Sequence, residues 1–257
     1  MQHSTGYTLV FAAMVCGVCS VFVAGAAVML EDRQVANVTL DRQKQVLTVA
    51  GLIEPGASLD SAEADRLFEA NIVPEIVDLK TGAVVEGVDA STFDQREATA
   101  DPKTSFAAPD NPAKVHRIPT DGMVYRVVRH GKFESVILPI TGQGLWSTLY
   151  GYIAIGADGR TIRGITFYEH GETPGLGGEI DNPNWKALWV GRKAFDERWK
   201  PVITVKKGKA GPPETDPYDV DGLSGASITS RGVGNLVRFW LGDNGFGPYL
   251  ASTRPAG

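Results

Sequence analysis

Residues Tyr7 to Leu30, YTLVFAAMVCGVCSVFVAGAAVML, form 24 consecutive positions without a charged side chain. In hydrocarbon every backbone N–H and C=O must be paired within the segment, so such a stretch folds there as a helix, and about 20 apolar residues cross the bilayer core. A cleaved signal peptide is the competing reading, because Ala24-Gly25-Ala26 fits a small-x-small cleavage site. The leading MQHST carries no Lys or Arg and the apolar run exceeds a signal core, which favours a retained single-span anchor. Charge barely orients it: His3 and the α-amino group precede the span, and Glu31, Asp32 and Arg33 follow. Cys16 and Cys19, the only two cysteines, both lie inside the span, where Cys behaves as a small apolar residue. The rest of the chain therefore has no disulfide and no thiolate-bound cluster of its own.

The remainder is long enough to bury one substantial core. A net charge of −5 argues against a nucleic-acid partner, and the densest basic run, Lys206-Lys207-Gly208-Lys209, reads as a solvated turn. The expected order is a tail at 1–6, an anchor at 7–30, a connector at 31–60 and one domain at 61–257. Ser61 is placed to cap a short helix. Ile76–Leu79 and Ala83–Val85 flank Lys80-Thr81-Gly82 as a hairpin, and Met123–Arg129 and Phe133–Ile140 form another around His130-Gly131-Lys132. Residues 86–122, with Pro102, Pro109, Pro112 and Pro119, show no pattern and read as a surface excursion open to docking. Gly142–Ile155 offers glycines for close approach and Trp146, Tyr150 and Tyr152 as flat apolar surface. Further strands are expected at Thr161–Tyr168 and Val202–Lys206, and Asp181-Asn182-Pro183-Asn184 opens a helix near Trp185. This order predicts an α+β domain with a twisted, largely antiparallel sheet and flanking helices. No G-x-G-x-x-G follows a strand, so nothing points to a nicotinamide site on this chain.

The chemistry concentrates in Asp221-Gly222-Leu223-Ser224-Gly225-Ala226-Ser227-Ile228-Thr229-Ser230, which runs into an apolar pattern of helical spacing through Leu241. Ser224 or Ser227 is placed to cap that helix. The N-terminus of a helix carries unpaired N–H groups and a partial positive charge, a ready site for a phosphate. Gly225 and Ala226 let a phosphate approach the backbone, and the hydroxyls supply hydrogen bonds or an ester-forming oxygen. Upstream, His170-Gly171-Glu172-Thr173-Pro174-Gly175-Leu176-Gly177 reads as a rigid loop able to border a planar ring, or as a tight strand-to-helix crossover. Asp221 caps its own turn on the plain reading.

The pattern Asp221-x-x-Ser224-Gly225-Ala226-Ser227-x-Thr229 resembles the flavinylation motif of the FMN-binding domain family. With the His170–Gly177 loop and the Gly144-Leu145-Trp146-Ser147 to Tyr150-Gly151 segment, it is similar to the C subunits of the sodium-translocating NADH:quinone reductases. The resemblance implies FMN on Thr229 through a phosphoester, with Ser224, Gly225, Ala226, Ser227 and Asp221 around the phosphate. Trp146, Glu172, Thr173, Gly175 and Leu176 would border the ring. It further implies a one-electron relay between a membrane iron–sulfur centre and a second covalent FMN in a sister subunit, within a complex that oxidises NADH, reduces ubiquinone and exports sodium. A separate flavin transferase would install FMN from FAD, and the soluble domain would lie on the periplasmic side of a bacterial inner membrane. Ser227 departs from the Thr often found there, but keeps the hydroxyl. Other readings stay open at this point: the G subunit of the related ferredoxin:NAD+ complex, a tethered binding module without cofactor, and a serine hydrolase. The hydrolase reading is weak because Gly222-x-Ser224-Gly225 brings its second Gly one position early.

Overall fold

The computed structural model describes residues 4–254, so His3 with the first half of the tail 1–6, and the side chain of Asp32, lie outside the described residues. The chain forms two compact units, Met1–Arg42 and Gln43–Gly257. Helix α1 (Thr5–Val49) runs through the first and supplies the opening turns of the second. Its segment Thr5–Glu31 is apolar and long enough to cross a membrane, and Leu9, Phe11, Val21, Phe22 and Met29 stand exposed along it. A helix from the core of a water-soluble domain would hide such side chains; hydrocarbon is the medium that suits them. The helix is unbroken through Ala24-Gly25-Ala26 and through much of the expected connector.

The second unit is α+β. Its elements are α2 (Ser61–Asn71), β1 (Ile72–Asp78), α3 (Gln95–Ala100), β2 (Ser105–Ala107), β3 (Arg117–Pro119), β4 (Asp121–Arg129), β5 (Lys132–Gln143), β6 (Thr148–Gly156), β7 (Ile162–Glu169), α4 (Pro183–Ala187), β8 (Thr204–Val205), β9 (Asp219–Val220), α5 (Ser227–Leu241) and α6 (Gly247–Ser252). One antiparallel sheet has the order β1-β4-β5-β6-β7. The β4–β5 turn forms as expected: His130 and Gly131 both take positive φ, 52° and 74°, the tight turn whose twist matches paired strands. Residues 204–205 and 219–220 pair in parallel as a separate two-stranded piece.

Both faces of the main sheet are covered, which is why β6 is buried almost end to end. Leu138, Ile140, Leu149, Ile153, Ile165 and Phe167 share a core with Val233, Leu236, Val237 and Trp240 of α5. On the opposite face, Gln45 near the end of α1 accepts from the Thr166 hydroxyl (3.0 Å), and Phe68 of α2 meets Tyr125 edge-on.

Three expectations need correction. Asp60, not Ser61, caps α2: its carboxylate accepts the Glu63 N–H at 2.8 Å, and Ser61 becomes the first helical residue. The hairpin expected around Lys80-Thr81-Gly82 shrinks to one antiparallel Val77–Val84 bridge, closed by Asp78 N–H to the Ala83 carbonyl (2.9 Å) and Val85 N–H to the Ile76 carbonyl (2.8 Å), on the edge of β1 opposite β4. Residues 86–122 are not structureless: α3 and the β2–β3 pair form there, and Ala113, Val115 and Ile118 enter the core.

Helix α5 lies so close to β5 that a Cβ on Gly232 would sit 2.4 Å from the Gln143 carbonyl oxygen. Gly232→Ala is therefore expected to destabilise the domain by about 1–3 kcal/mol, the usual cost of overpacking against backbone, as read from denaturant unfolding.

Candidate functional site

The position of Thr229 follows from the period of α5. Thr229, Val233, Leu236 and Trp240 recur at helical spacing on the buried face, so the threonine points into the domain. The close packing on Gln143 then fixes the first turn of α5 beside the β5–β6 turn. Thr229 is 0% exposed. Its hydroxyl lies under the loop after β7, where a Cβ on Gly177 would come within 2.7 Å of Thr229 Oγ1 and 2.6 Å of Glu172 Oε2.

Glu172 is the hub of this arrangement. Its Oε2 accepts the Thr229 hydroxyl at 2.5 Å. Its carboxylate also accepts the backbone N–H groups of Leu145 (3.3 Å), Trp146 (2.8 Å) and Ser147 (3.2 Å), so the β5–β6 turn wraps it. The Ser147 hydroxyl returns the tie by accepting from Gly171 N–H at 2.7 Å. His170 bonds Asp181 through Nε2 (2.7 Å) while its Nδ1 accepts the Glu172 N–H (3.1 Å), so the proton sits on Nε2. Burial pushes the Glu172 carboxyl up, but the Thr229 hydroxyl and the three N–H donors outweigh it and hold the group below its usual range. Glu172 is therefore ionised at neutral pH.

The first turn of α5 is open. Ala226, not Ser224 or Ser227, occupies the cap position, and no side chain caps the helix. Ser227 is instead the first helical residue, and both serines are exposed beside the free N–H groups. That combination fits a phosphate: donors and a favourable dipole with no internal carboxylate competing for them. Gly225 takes φ +72°, and a Cβ there would meet Leu176 at 2.9 Å, so the two motifs touch.

Trp146 (70% exposed) and Leu176 (44%) present flat or apolar surface on these segments, and Thr173 and Gly175 are exposed in the same loop. Leu145 and Ile228 are also exposed there; nothing in their own spacing marked them, since their importance comes from the neighbouring segments that the fold brings up. Open N–H groups beside exposed apolar side chains suit a flavin's phosphate and ring. Asp221 does not cap its own turn: its carboxylate accepts the Ala210 N–H at 2.8 Å, and its carbonyl accepts Trp185 Nε1. Ser230 holds the turn, accepting the Leu223 N–H at 3.0 Å. Lys206 is paired with Asp216 and Asp219. Among the described residues Ser224 has no side-chain hydrogen bond, and His170 is engaged elsewhere, so no hydrolase dyad forms.

Residues 144–242, which contain every segment of this site, match the FMN-binding domain family. Across nearly its whole length the chain is 46% identical to the C subunit of the Na(+)-translocating NADH-quinone reductase of Pseudomonas aeruginosa, covering 98% of this chain and 97% of that protein. It is 48% identical to the protein of the same name from Vibrio vulnificus, over 93% and 92% of the two chains. The crystal structure of Shewanella oneidensis NqrC superposes with a TM-score of 0.76 at 36% identity, covering 83% of this chain and 96% of that one. The chain belongs to the family of C subunits of the Na+-translocating NADH-quinone reductases, and the ferredoxin:NAD+ alternative is set aside.

A carboxyl with a lowered folded pKa contributes stability above its unfolded pKa and loses it as pH falls through the folded one. The melting temperature is expected to fall below about pH 4, the ordinary carboxyl range, and Glu172→Gln should remove part of that fall. Thermal melts of both proteins at neutral and acid pH check this.

Proposed function

We propose that Thr229 carries FMN through a phosphoester and that the chain relays electrons through it as one subunit of a membrane NADH:ubiquinone reductase that exports sodium. The observation that carries this reading is the meeting of two motifs 57 residues apart at one hydroxyl, Thr229 on Glu172, beside an uncapped helix start. When bound, a flavin supplies the one- and two-electron chemistry, and the protein holds and tunes it.

The chain's own residues divide that work. The open N–H groups of α5 offset phosphate charge, with the Ser224 and Ser227 hydroxyls beside them and Gly225 and Ala226 leaving room. Trp146 and Leu176, joined by Leu145 and Ile228, give the ring an apolar border and exclude water, while Thr173 and Gly175 offer polar edge contacts. Asp221 shapes the approach to the motif through Ala210 and touches no ligand. The anchor α1 makes this a single-pass chain, and we place its folded domain on the periplasmic side of the inner membrane. Electrons would arrive from an iron–sulfur centre in the membrane and leave to a second covalent FMN in a sister subunit. The other subunits of the complex are the standing partners, with residues 86–122 as a docking surface. A flavin transferase acting on FAD is the transient one. Family membership and the motif match support these assignments.

Denaturing electrophoresis under ultraviolet light tests the reading, with the flavin transferase co-expressed. The wild-type band is expected to fluoresce and the Thr229→Val band to stay dark. Two dark bands, with the transferase active on a control substrate, would overturn the covalent flavin.

A further inference from the structure

Glu172 does not suit the role of flavin contact. A phosphate drawn to the start of α5 is an anion, and a carboxylate held ionised beside it repels it. What Glu172 does touch is the alcohol: Thr229 donates to Oε2 at 2.5 Å, from a fully buried position. The other hydrogen bonds to the carboxylate come from the N–H groups of residues 145–147, not from the Pro174–Gly178 segment that covers the hydroxyl. The Leu176 and Gly178 N–H groups of that segment bond the Thr173 carbonyl (3.1 and 2.9 Å), so its ties are separate from the Glu172–Thr229 pair.

Resting on Thr229 as the flavin ester, we propose that Glu172 is the catalytic base of flavin attachment. Thr229 Oγ1 forms a bond to the flavin-side phosphorus of a flavin dinucleotide held by the transferase. The P–O bond of the pyrophosphate bridge breaks, and adenosine monophosphate leaves with its electron pair. The hydroxyl proton passes to Glu172 Oε2, and nothing is oxidised or reduced. The donor-lined turn thus orients a base toward a threonine whose own hydroxyl is a weak nucleophile.

The test uses the full chain in detergent with purified transferase and flavin adenine dinucleotide. It follows covalent loading by intact mass and folding by thermal melting. Glu172→Gln keeps an acceptor oxygen for the 145–147 turn, and is expected to load about 100-fold more slowly or worse at saturating transferase. Glu172→Ala is expected to load as slowly, and to regain loading in proportion to added formate. Loading of Glu172→Gln within about threefold of wild type would overturn the proposal. Slow loading that formate does not restore would overturn it too, by assigning Glu172 a structural part. Failure of the wild-type chain to load at all, beside a control substrate that does, would instead remove Thr229 as the ester.

Discussion

The Glu172 carboxylate lies where three pieces of chain distant in sequence close on one another. It takes three N–H groups from the β5–β6 turn, belongs itself to the loop after β7, and receives the hydroxyl of Thr229 at the start of α5. A charged acceptor serving four donors in a buried place is worth several ordinary hydrogen bonds, and leaving those donors unpaired would be costly. Room for it exists because Gly144 and Gly177 lack side chains: a Cβ on either would come 2.6 Å from a Glu172 oxygen. The site is thus set by one anion and the backbone that can approach it.

That interaction also divides the electrostatics of the site. Glu172 faces the threonine oxygen, whereas the open start of α5 faces outward with its N–H groups free of any side-chain cap. A helix capped by Ser or Asp would have spent those donors internally. The Ala at position 226, a locally poor choice of cap, leaves them without a side-chain acceptor. The sheet supports this from below, because α5 is pressed onto β5 through Gly232 and Gly142 and cannot shift its first turn without disturbing the core.

Much of this was legible in the sequence where a local rule has one outcome. His130-Gly131 forms the tight turn because both residues accept positive φ, and the apolar spacing of residues 229–241 gives α5 its buried face. The spacing of Ser224, Gly225, Ala226, Ser227 and Thr229 marks the candidate site, which the structure sets at the start of α5. Local rules failed where two neighbours qualify or where a choice is made elsewhere. Asp60 and Ser61 are both good caps, and only the Glu63 N–H decides between them. The β2–β3 pair is three residues long on each side and buries single apolar residues at no period, so residues 86–122 looked unpatterned. The partner of Glu172 could not be read at all: it stands 57 positions away and is brought up by the packing of α5.

Peptide mapping of the mature protein tests the central claim most directly. Trypsin releases Ala210–Arg231, which contains Thr215, Tyr218, Ser224, Ser227, Thr229 and Ser230 as the competing hydroxyls. Fragmentation is expected to place a flavin phosphate on Thr229 and on none of the others. Flavin found on Ser227 or Ser230, or an unmodified peptide from protein matured with an active transferase, would contradict the account.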